Sequence, residues 1–278
     1  MGRSEEEEAL FNREVALLCS LTGAVNVLAV HGLCGVKSDL MVMEFCSGGE
    51  LGAYYTIKSF FTRAEFDRVG REVCAGLAHL HHHHIPHRNL KPSNILLEPL
   101  TRRVRIAGFG QCRFGRGEQP EFHAYMPPEA PVPSAEAAAR ALFEGVMDAQ
   151  QAGESSSLLG KQIGKLFGGR REVRIPDLPP FDPFAGDVYS LGLVLWQLWF
   201  RVDPFAGQTP SRVADHVRRG KRLPLHGIPD AAPLPAALRH VVEAAWAQDP
   251  SERPSCSGVS RSFDAFAFPG EPPAFDLK

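Results

Sequence analysis

The sequence lacks the features that mark a secreted or membrane-spanning protein. Its six cysteines are scattered and form no C-x-x-C pair, which is typical of reduced thiols inside the cell and argues against a disulfide framework or a zinc site. No basic and apolar leader opens the chain, and its longest apolar run, residues 191–200, is too short to cross a bilayer. These absences predict a soluble, cytoplasmic protein without a transmembrane segment.

The sequence also lacks an excess of charge of either sign. Against 30 Lys and Arg residues stand 32 Asp and Glu residues, for a formal net charge of -2. Proteins that bind nucleic acid through its phosphates need a positive surface, so no nucleic-acid partner is expected. The hydrophobic content of 44% is that of a globular chain and excludes disorder of the whole protein.

Hydrophobic periodicity predicts a short mixed segment followed by a longer, mostly helical one. The expected helices are, in chain order, residues 5–21, Arg63–His82, Val188–Phe200, 209–219 and 235–247. The expected strands are Val25–Val30, Leu40–Phe45, Ile95–Leu97 and Val104–Ile106, and the last two are expected to form a small hairpin.

A stretch of different composition, residues 131–180, interrupts this pattern. It is first rich in Ala, then basic and rich in Gly, and it is closed by a cluster of prolines, Pro176, Pro179, Pro180 and Pro183. Such a composition favours a surface insertion. Two alternatives remain open for its basic part, a disordered loop or an amphipathic helix that binds a membrane or a partner.

Residues 87–97, which read His-Arg-Asn-Leu-Lys-Pro-Ser-Asn-Ile-Leu-Leu, carry the main functional signal. They resemble the catalytic loop of protein kinases and the apolar strand that follows it. Residues 108–110 stand where that family has Asp-Phe-Gly, and residues 125–129 where it has Ala-Pro-Glu. The segment from Asp187 resembles the start of the family's buried central helix, and Arg253 lies in a late loop that resembles the family's.

The resemblance implies an α+β, protein-kinase-like fold. Residues 1–46 would form a partial N-lobe and hinge, with the αC helix and the last two strands, since no Gly-rich phosphate loop or lysine strand precedes Glu14. Residues 47–265 would form a mostly helical C-lobe with the insertion at about 131–180, and residues 266–278 a Pro-rich tail. Lys91 makes the loop similar to that of Ser/Thr-type members, and the sequence of the segment from Asp187 is similar to that of the tyrosine-kinase-like group.

The resemblance also assigns roles to individual residues, by motif position. The catalytic positions are Arg88, Asn89, Lys91 and Asn94, and Asn94 would be a weak metal ligand. The positions that contact a nucleotide are Met43, Glu44, Cys46, Glu50, Leu96 and Gly108. The structural positions are Glu14, Leu18, Val30, His87, Phe109, Glu129, Asp187 and Arg253. Of these, Leu18, Val30, His87 and Phe109 would form a hydrophobic stack that links the two lobes.

Two of these positions depart from the family's pattern. In an active protein kinase, a loop aspartate accepts the proton of the substrate hydroxyl, and the aspartate of Asp-Phe-Gly holds Mg²⁺ on the phosphates. Here these positions are Asn89 and Gly108. An amide does not take up a proton near neutral pH, and loss of a positioned general base lowers a rate by about 10²–10⁴-fold. The departures predict a catalytically impaired pseudokinase that acts as a scaffold or allosteric signalling partner.

The alternative is an active atypical Ser/Thr protein kinase whose N-lobe strands are missing from this sequence. It would use ATP and Mg²⁺ as cofactors, whereas an inactive domain needs none. In both cases the expected partners are proteins, bound through the incomplete N-lobe or through the insertion at 131–180. Exposed apolar faces of the N-lobe would form the first of these surfaces, and they are expected at Val15, Leu18, Val27 and Val42.

The histidine-rich run at 79–84 has two interpretations. It is either a metal-binding cluster or the solvated end of the helix that precedes the loop. The second is favoured because no Cys or carboxylate stands at a suitable spacing.

Overall fold

The computed structural model describes residues 15–34 (without 17 and 22), 40–57, 62–109, 124–130, 181–229 and 231–266. Four features of the sequence analysis lie outside the described residues: Glu14 with the first part of the predicted helix, the segment 110–123, the insertion at 131–180 and the tail from 267. The domain boundaries inferred for them stay predictions.

The N-terminal part of the structure is a two-stranded antiparallel ribbon beside a helix. Residues 15–16 and 18–20 are helical and form α1. Strand β1 (Val30–Cys34) pairs with β2 (Leu40–Met43). Val30 stands opposite Met43, and the register shifts between Val30 and Gly32, so the ribbon carries an irregularity next to its first residue.

The strand predicted at Val25–Val30 is wrong, because the observed strand begins where the predicted one ends. Asn26 has a φ of 63°, which interrupts an extended conformation. Its carbonyl oxygen accepts a hydrogen bond from the N–H of Ile106 at 2.9 Å, and its side chain donates to the carbonyl of Val104 at 3.0 Å. Residues 26–28 of this stretch therefore pair with a distant hairpin, and only Ala29 and Val30 pair with the end of β2.

The apolar faces expected at an open N-lobe edge are mostly buried, which corrects that prediction. Val15, Leu18 and Val27 expose 4%, 2% and 2% of their surface, and only Val42 is exposed as expected, at 45%. Val27 forms a parallel bridge with Ile106, and all three buried residues belong to the main hydrophobic core. Burial of this kind depends on distant parts of the chain, so the local pattern did not reveal it.

Two helices and a hairpin follow the ribbon. Helix α2 (Leu51–Ile57) was not predicted, whereas α3 (Arg63–His82) confirms the predicted bounds. Thr62 and Glu65 form a capping box, in which each side chain accepts a hydrogen bond from the other's backbone N–H. The predicted hairpin is also confirmed, as β3 (Ile95–Leu97) paired with β4 (Val104–Ile106).

The most deeply buried element is helix α4 (Pro183–Phe200). It begins before the predicted start at Val188, because Asp182 caps it by accepting a hydrogen bond from the N–H of Phe184 at 2.9 Å. Pro183 occupies the first turn, where its missing N–H has no cost. The proline read as the end of the insertion is thus the start of the helix.

Three shorter helices complete the C-terminal part. Helices α5 (Pro210–Arg218) and α6 (Ala236–Ala245) confirm the predictions near 209–219 and at 235–247, and α7 (Cys256–Ser262) was not predicted. Helix α4 approaches α6 closely at Gly192, where an added Cβ would lie 2.9 Å from the Cβ of Ala245. Short 3-10 turns lie at Pro92–Asn94, Pro250–Glu252 and Phe263–Phe266.

A small strand ribbon beside a larger helical part makes the architecture α+β, as predicted. Within the described ranges, no helix combines the length and the apolar character needed to cross a membrane.

Tyr189 in the middle of α4 is fully buried, and its hydroxyl has no hydrogen-bond partner among the described residues. Burial raises the pKa of this hydroxyl to about 12. The contacts of Tyr189 are made by its ring, which has the guanidinium groups of Arg253 and Arg222 at 5.1 and 5.5 Å from its centroid. The ring therefore accounts for the role of this side chain in packing.

We expect Tyr189→Phe to leave the melting temperature unchanged or to raise it by a few degrees. The reason is that an unsatisfied buried polar group costs about 1–3 kcal/mol, and about 1 kcal/mol shifts Tm by roughly 2–4 °C for a domain of this size. Tyr189→Leu removes the ring as well and should lower Tm. Thermal denaturation of both variants tests this, and equal losses would mean that the hydroxyl has a partner.

Candidate functional site

One buried carboxylate binds the start of the loop at residues 87–94. Asp187 on α4 accepts hydrogen bonds from the backbone N–H groups of His87 and Arg88, both at 2.7 Å. The ring of His81 lies 2.9 Å from the same carboxylate. These three contacts fix the start of the loop to the most buried helix of the fold.

His81 is a functional residue that the sequence analysis missed. Its side chain is only 17% exposed, and its second ring nitrogen lies 3.6 Å from the sulfur of Cys256. The prediction of a solvated helix end is therefore correct for His82–His84, which are exposed, but not for His81. Among the described residues, no group of three or more His, Cys, Asp or Glu is placed to hold a metal ion. Leu80 and His81 stand where the family that the chain resembles carries a leucine–histidine pair before the loop, and that pair is the signal that singles out His81.

His87 links the loop to the segment that follows β4. It is fully buried, its Nε2 lies 2.8 Å from the carbonyl oxygen of Ala107, and its Nδ1 accepts a hydrogen bond from the N–H of Asn89 at 3.3 Å. Burial lowers the pKa of His87 against the opposing effect of Asp187, so the ring is neutral near pH 7. A neutral ring with its proton on Nε2 satisfies both contacts.

The predicted hydrophobic stack is placed within one core. The rings of His87 and Phe109 meet edge to face, with centroids 5.5 Å apart. Leu18 and Val30 are each 2% exposed and belong to the same core as Phe109.

Asn89, Asn94 and Gly108 come together beside this stack. The side-chain amide of Asn94 donates to the carbonyl oxygen of Asn89 at 2.7 Å, and the backbone carbonyl of Asn94 accepts from the N–H of Ala107 at 2.8 Å. A Cβ placed on Gly108 would lie 2.4 Å from Cγ of Asn94 and 2.6 Å from both terminal atoms of its amide. The Asn94 amide therefore fills the space that a side chain at position 108 would need.

The backbone of Gly108 adds a second restriction. Its φ of 80° lies in the left-handed region that L side chains rarely adopt. Any residue other than glycine here would be strained in addition to meeting Asn94.

Two cationic residues flank these amides. Arg88 has a φ of 62°, and its buried Nε has no hydrogen-bond partner in the described part of the chain. Lys91 precedes the turn Pro92–Asn94, and its carbonyl oxygen accepts from the N–H of Asn94 at 2.9 Å. The segment 87–97 contains no carboxylate, so the loop presents amides and cations, which bind anions but do not take up a proton.

Apart from Gly108, the residues predicted to contact a nucleotide run from the end of β2 to β3. Met43 ends β2 and is 46% exposed. The N–H of Glu44 donates to the carbonyl of Ala29 at 2.8 Å, and Glu50 forms an antiparallel bridge with Leu96. This places the segment 43–50 against the hairpin that follows the loop.

Arg105 of β4 holds this segment and was missed by the sequence analysis. Its guanidinium lies 3.1 Å from the carboxylate of Glu44 and 2.5 Å from that of Glu98. Burial raises the pKa of the nearby Cys46 thiol, and Glu44 raises it further, so Cys46 stays a thiol near pH 7. The side chain of Glu44 is thereby engaged in holding the hinge to the hairpin.

A buried ion pair joins segment 124–130 to the C-terminal part. The guanidinium of Arg253 makes two contacts with the carboxylate of Glu129, at 2.6 and 2.8 Å, and neither side chain is exposed. Arg253 also donates to the carbonyl oxygens of Ala185 and Ala247. This two-point geometry is the strongest arrangement available to an arginine and a carboxylate.

Comparison with protein families gives the same result for both parts of the chain. Residues 2–135 match the family described as protein kinase domain. Residues 183–263 match the family described as protein tyrosine and serine/threonine kinase. Residues 136–182 lie between the two matches, and most of them belong to the predicted insertion.

Curated relatives include protein kinases. Serine/threonine/tyrosine-protein kinase HT1 of Arabidopsis thaliana is 27% identical over 91% of this chain and 53% of its own length. Dual specificity protein kinase shkB of Dictyostelium discoideum is 25% identical over 90% of this chain and 33% of its own length. This chain thus spans about half of the first relative and a third of the second. By the two family matches and these relatives, the chain belongs to the protein kinase superfamily.

Proposed function

We propose that the chain is a catalytically impaired kinase domain, a pseudokinase that serves in signalling as a scaffold or allosteric partner of other proteins. The observation that carries this proposal is the meeting of Asn89, Asn94 and Gly108. It affects both tasks that carboxylates perform in phosphoryl transfer, proton acceptance and metal binding.

Proton acceptance is the first task that the site does not support. Asn89 stands at the position of the general base, and its amide has no protonation step near neutral pH. The neighbouring side chains, Arg88 and Lys91, are cations and cannot replace a base. A missing base is expected to lower the rate of phosphoryl transfer by about 10²–10⁴-fold. Any effect of the metal site would come in addition.

Metal binding is the second task, and the residues present do not fit Mg²⁺. This ion takes oxygen ligands at about 2.0–2.1 Å in octahedral geometry and is usually held by one or two carboxylates. Gly108 offers no side chain, and the space beside it holds the amide of Asn94. Because the nitrogen of that amide donates to Asn89, the Asn94 side chain offers one neutral oxygen and no carboxylate. We therefore derive no step through a metal ion.

The contacts that stabilise the fold of a kinase domain are retained. Asp187 fixes the loop to α4, and Glu129 with Arg253 fixes segment 124–130. The kinase family generally uses ATP and Mg²⁺, and the hinge segment 43–50 still lies beside the loop. Retained architecture without the two carboxylates favours a role in binding proteins, which are the partners we propose.

A thermal-shift titration with ATP alone and with ATP plus Mg²⁺ tests the proposal. Saturating ligand at about 100 times its Kd stabilises a protein by about 2.7 kcal/mol, which is readily measured. We expect Mg²⁺ to add no stabilisation to that of ATP alone, and we expect no transfer of phosphate to the chain itself or to a generic protein acceptor.

An active atypical kinase would give the opposite results. Its melting temperature would rise further with Mg²⁺, and it would transfer phosphate in a reaction abolished by Lys91→Ala. Lys91 is half-buried in the loop and is not part of the core, so this variant should fold. Its melting temperature serves as the control.

A further inference from the structure

The histidine run at 79–84 divides into two parts. His81 contacts the buried carboxylate of Asp187, whereas the other rings of the run do not share that contact. His79 is half-buried and His83 is exposed. Among the described residues, the rings of His79 and His83 form no hydrogen bond and no ion pair. Both rings are therefore available to a ligand from solvent.

His79 and His83 form a close pair at the end of α3. They stand four residues apart and so share one side of the helix. The N–H of His83 donates to the carbonyl oxygen of His79 at 3.3 Å, which continues the helical spacing through the pair. Their ring centroids lie 4.7 Å apart, with 45° between the ring planes.

The separation of the two rings suits a shared metal ion. An ion bound by one nitrogen of each ring at about 2.0–2.1 Å, with a ligand angle of about 90–110°, would leave the ring centroids roughly 4.5–5 Å apart. The observed 4.7 Å lies within this interval. The two rings can therefore approach one ion without a change in the helix.

We propose that His79 and His83 form a binding site for a divalent transition-metal ion such as Cu²⁺ or Zn²⁺, with water in the remaining positions. Imidazole nitrogen is a favoured ligand of these ions, whereas Mg²⁺ and Ca²⁺ take oxygen ligands. The same spacing of two histidines on one helix face supplies zinc ligands in the His-Glu-x-x-His motif. The part of the chain that the structure describes holds no group of three ligands, so this pair should bind more weakly than a four-ligand structural site.

The end of a helix favours a cation at this place. Helix α3 ends at His82, and His83 is its C-cap. The carbonyl groups at a helix C-terminus carry partial negative charge, which stabilises a cation within the last turn. Ala75, one turn before His79, is exposed and small, so its side chain does not obstruct the approach of an ion.

The pair also stands on a part of the helix that the core holds in place. Leu77 and Leu80 of the same turns are buried with 0% exposure. The N–H of Ile85, which follows the pair and is also buried, donates to the carbonyl oxygen of Leu80 at 2.9 Å. Because the backbone that carries both rings is already fixed, binding of an ion needs to order only the two side chains.

Titration of the metal-free full chain with Cu²⁺, Zn²⁺ or Mg²⁺, each alone, tests the site. Calorimetry measures the affinity and the stoichiometry. Electron paramagnetic resonance of the Cu²⁺ complex reports the number of bound nitrogens. The variants are His79→Ala and His83→Ala, and alanine favours a helix, so both should fold. Their melting temperatures without metal check this.

We expect Cu²⁺ to bind more tightly than Zn²⁺, in the usual order for nitrogen ligands, and Mg²⁺ to show no binding that depends on the two histidines. His79→Ala and His83→Ala should each lower the affinity by at least about tenfold, since even loss of a contact that supports a ligand costs about 10–100-fold. The matched controls are His84→Ala in the same run and His240→Ala at an exposed histidine of α6. Both should leave the affinity unchanged.

Three results overturn the inference. The first is an unchanged affinity in His79→Ala or in His83→Ala. The second is an equal loss in His84→Ala or in His240→Ala, which would show general binding to exposed histidines. The third is a Cu²⁺ spectrum with a single bound nitrogen. None of these outcomes bears on the proposed function, since the pair includes no residue of the loop at 87–94.

Discussion

The double variant Asn89→Asp, Gly108→Asp is expected to remain without phosphotransfer activity and to be less stable than the wild type. It restores both missing carboxylates, but the new side chain at 108 has no space. Its Cβ would lie 2.4 Å from Cγ of Asn94 on a backbone with a φ of 80°. The left-handed conformation alone costs about 1–2 kcal/mol for a residue with a Cβ, and displacement of Asn94 adds to this.

The loss of stability should appear as a fall in Tm of several degrees, at roughly 2–4 °C per kcal/mol. Gly108→Ala is the matched control, because it adds the same Cβ without a carboxylate and should lose a similar amount. Asn94→Ala in the background of Gly108→Asp removes the obstructing amide and should recover part of the loss. An ordinary kinase turns over at about 1–100 s⁻¹. Turnover of the double variant within about tenfold of this rate would contradict the proposal that the Asn94 amide fills the space that a metal-binding side chain at position 108 needs.

Breaking the ion pair of Glu129 and Arg253 from one side is expected to destabilise the protein by about 3–5 kcal/mol. In Arg253→Met, the carboxylate of Glu129 stays buried without its partner, and the carbonyls of Ala185 and Ala247 lose a donor. Urea unfolding followed by tryptophan fluorescence measures the change in the free energy of unfolding.

Two further variants separate the penalty of an unpaired charge from the value of the pair. Glu129→Leu with Arg253→Met removes both charges and should be more stable than Arg253→Met alone. The exposed pair of Asp215 and Arg219 serves as the comparison, since its side chains are 61% and 64% exposed. Arg219→Met should change stability by no more than about 1 kcal/mol. A similar small effect for Arg253→Met would mean that segment 124–130 is not held by this pair.

Local signals were sufficient where the element and its boundaries lie within one short stretch. The bounds of α3 were predicted from its long apolar stripe, and the Thr–Glu capping box that the structure shows at its start agrees with them. The hairpin at 95–106 was predicted because two short apolar strands flank a polar turn. In both cases the backbone hydrogen bonds join residues that are close in sequence, so the pattern and the structure report the same interaction.

Local signals failed where the partner is distant. The run at 25–30 has the composition of a strand, but Asn26 and Leu28 make their hydrogen bonds with Ile106. The burial of Val15 and Leu18 likewise depends on a core assembled from the whole chain. Helix α4 was placed too late because Pro183 was assigned to the preceding proline cluster and not to the first turn.

The sequence by itself was sufficient to identify the family, because the order of residue types at 87–97 is specific to it. It was also sufficient to show that two carboxylates are missing, because Asn89 and Gly108 stand at their positions. Only the tertiary structure decided that Asn94 fills the space beside Gly108, and that His81 shares Asp187 with the loop. His81 and Asp187 stand 106 positions apart in the chain. Contacts of this kind arise from how helices pack and from which rotamers the packing leaves available, and a linear pattern contains neither.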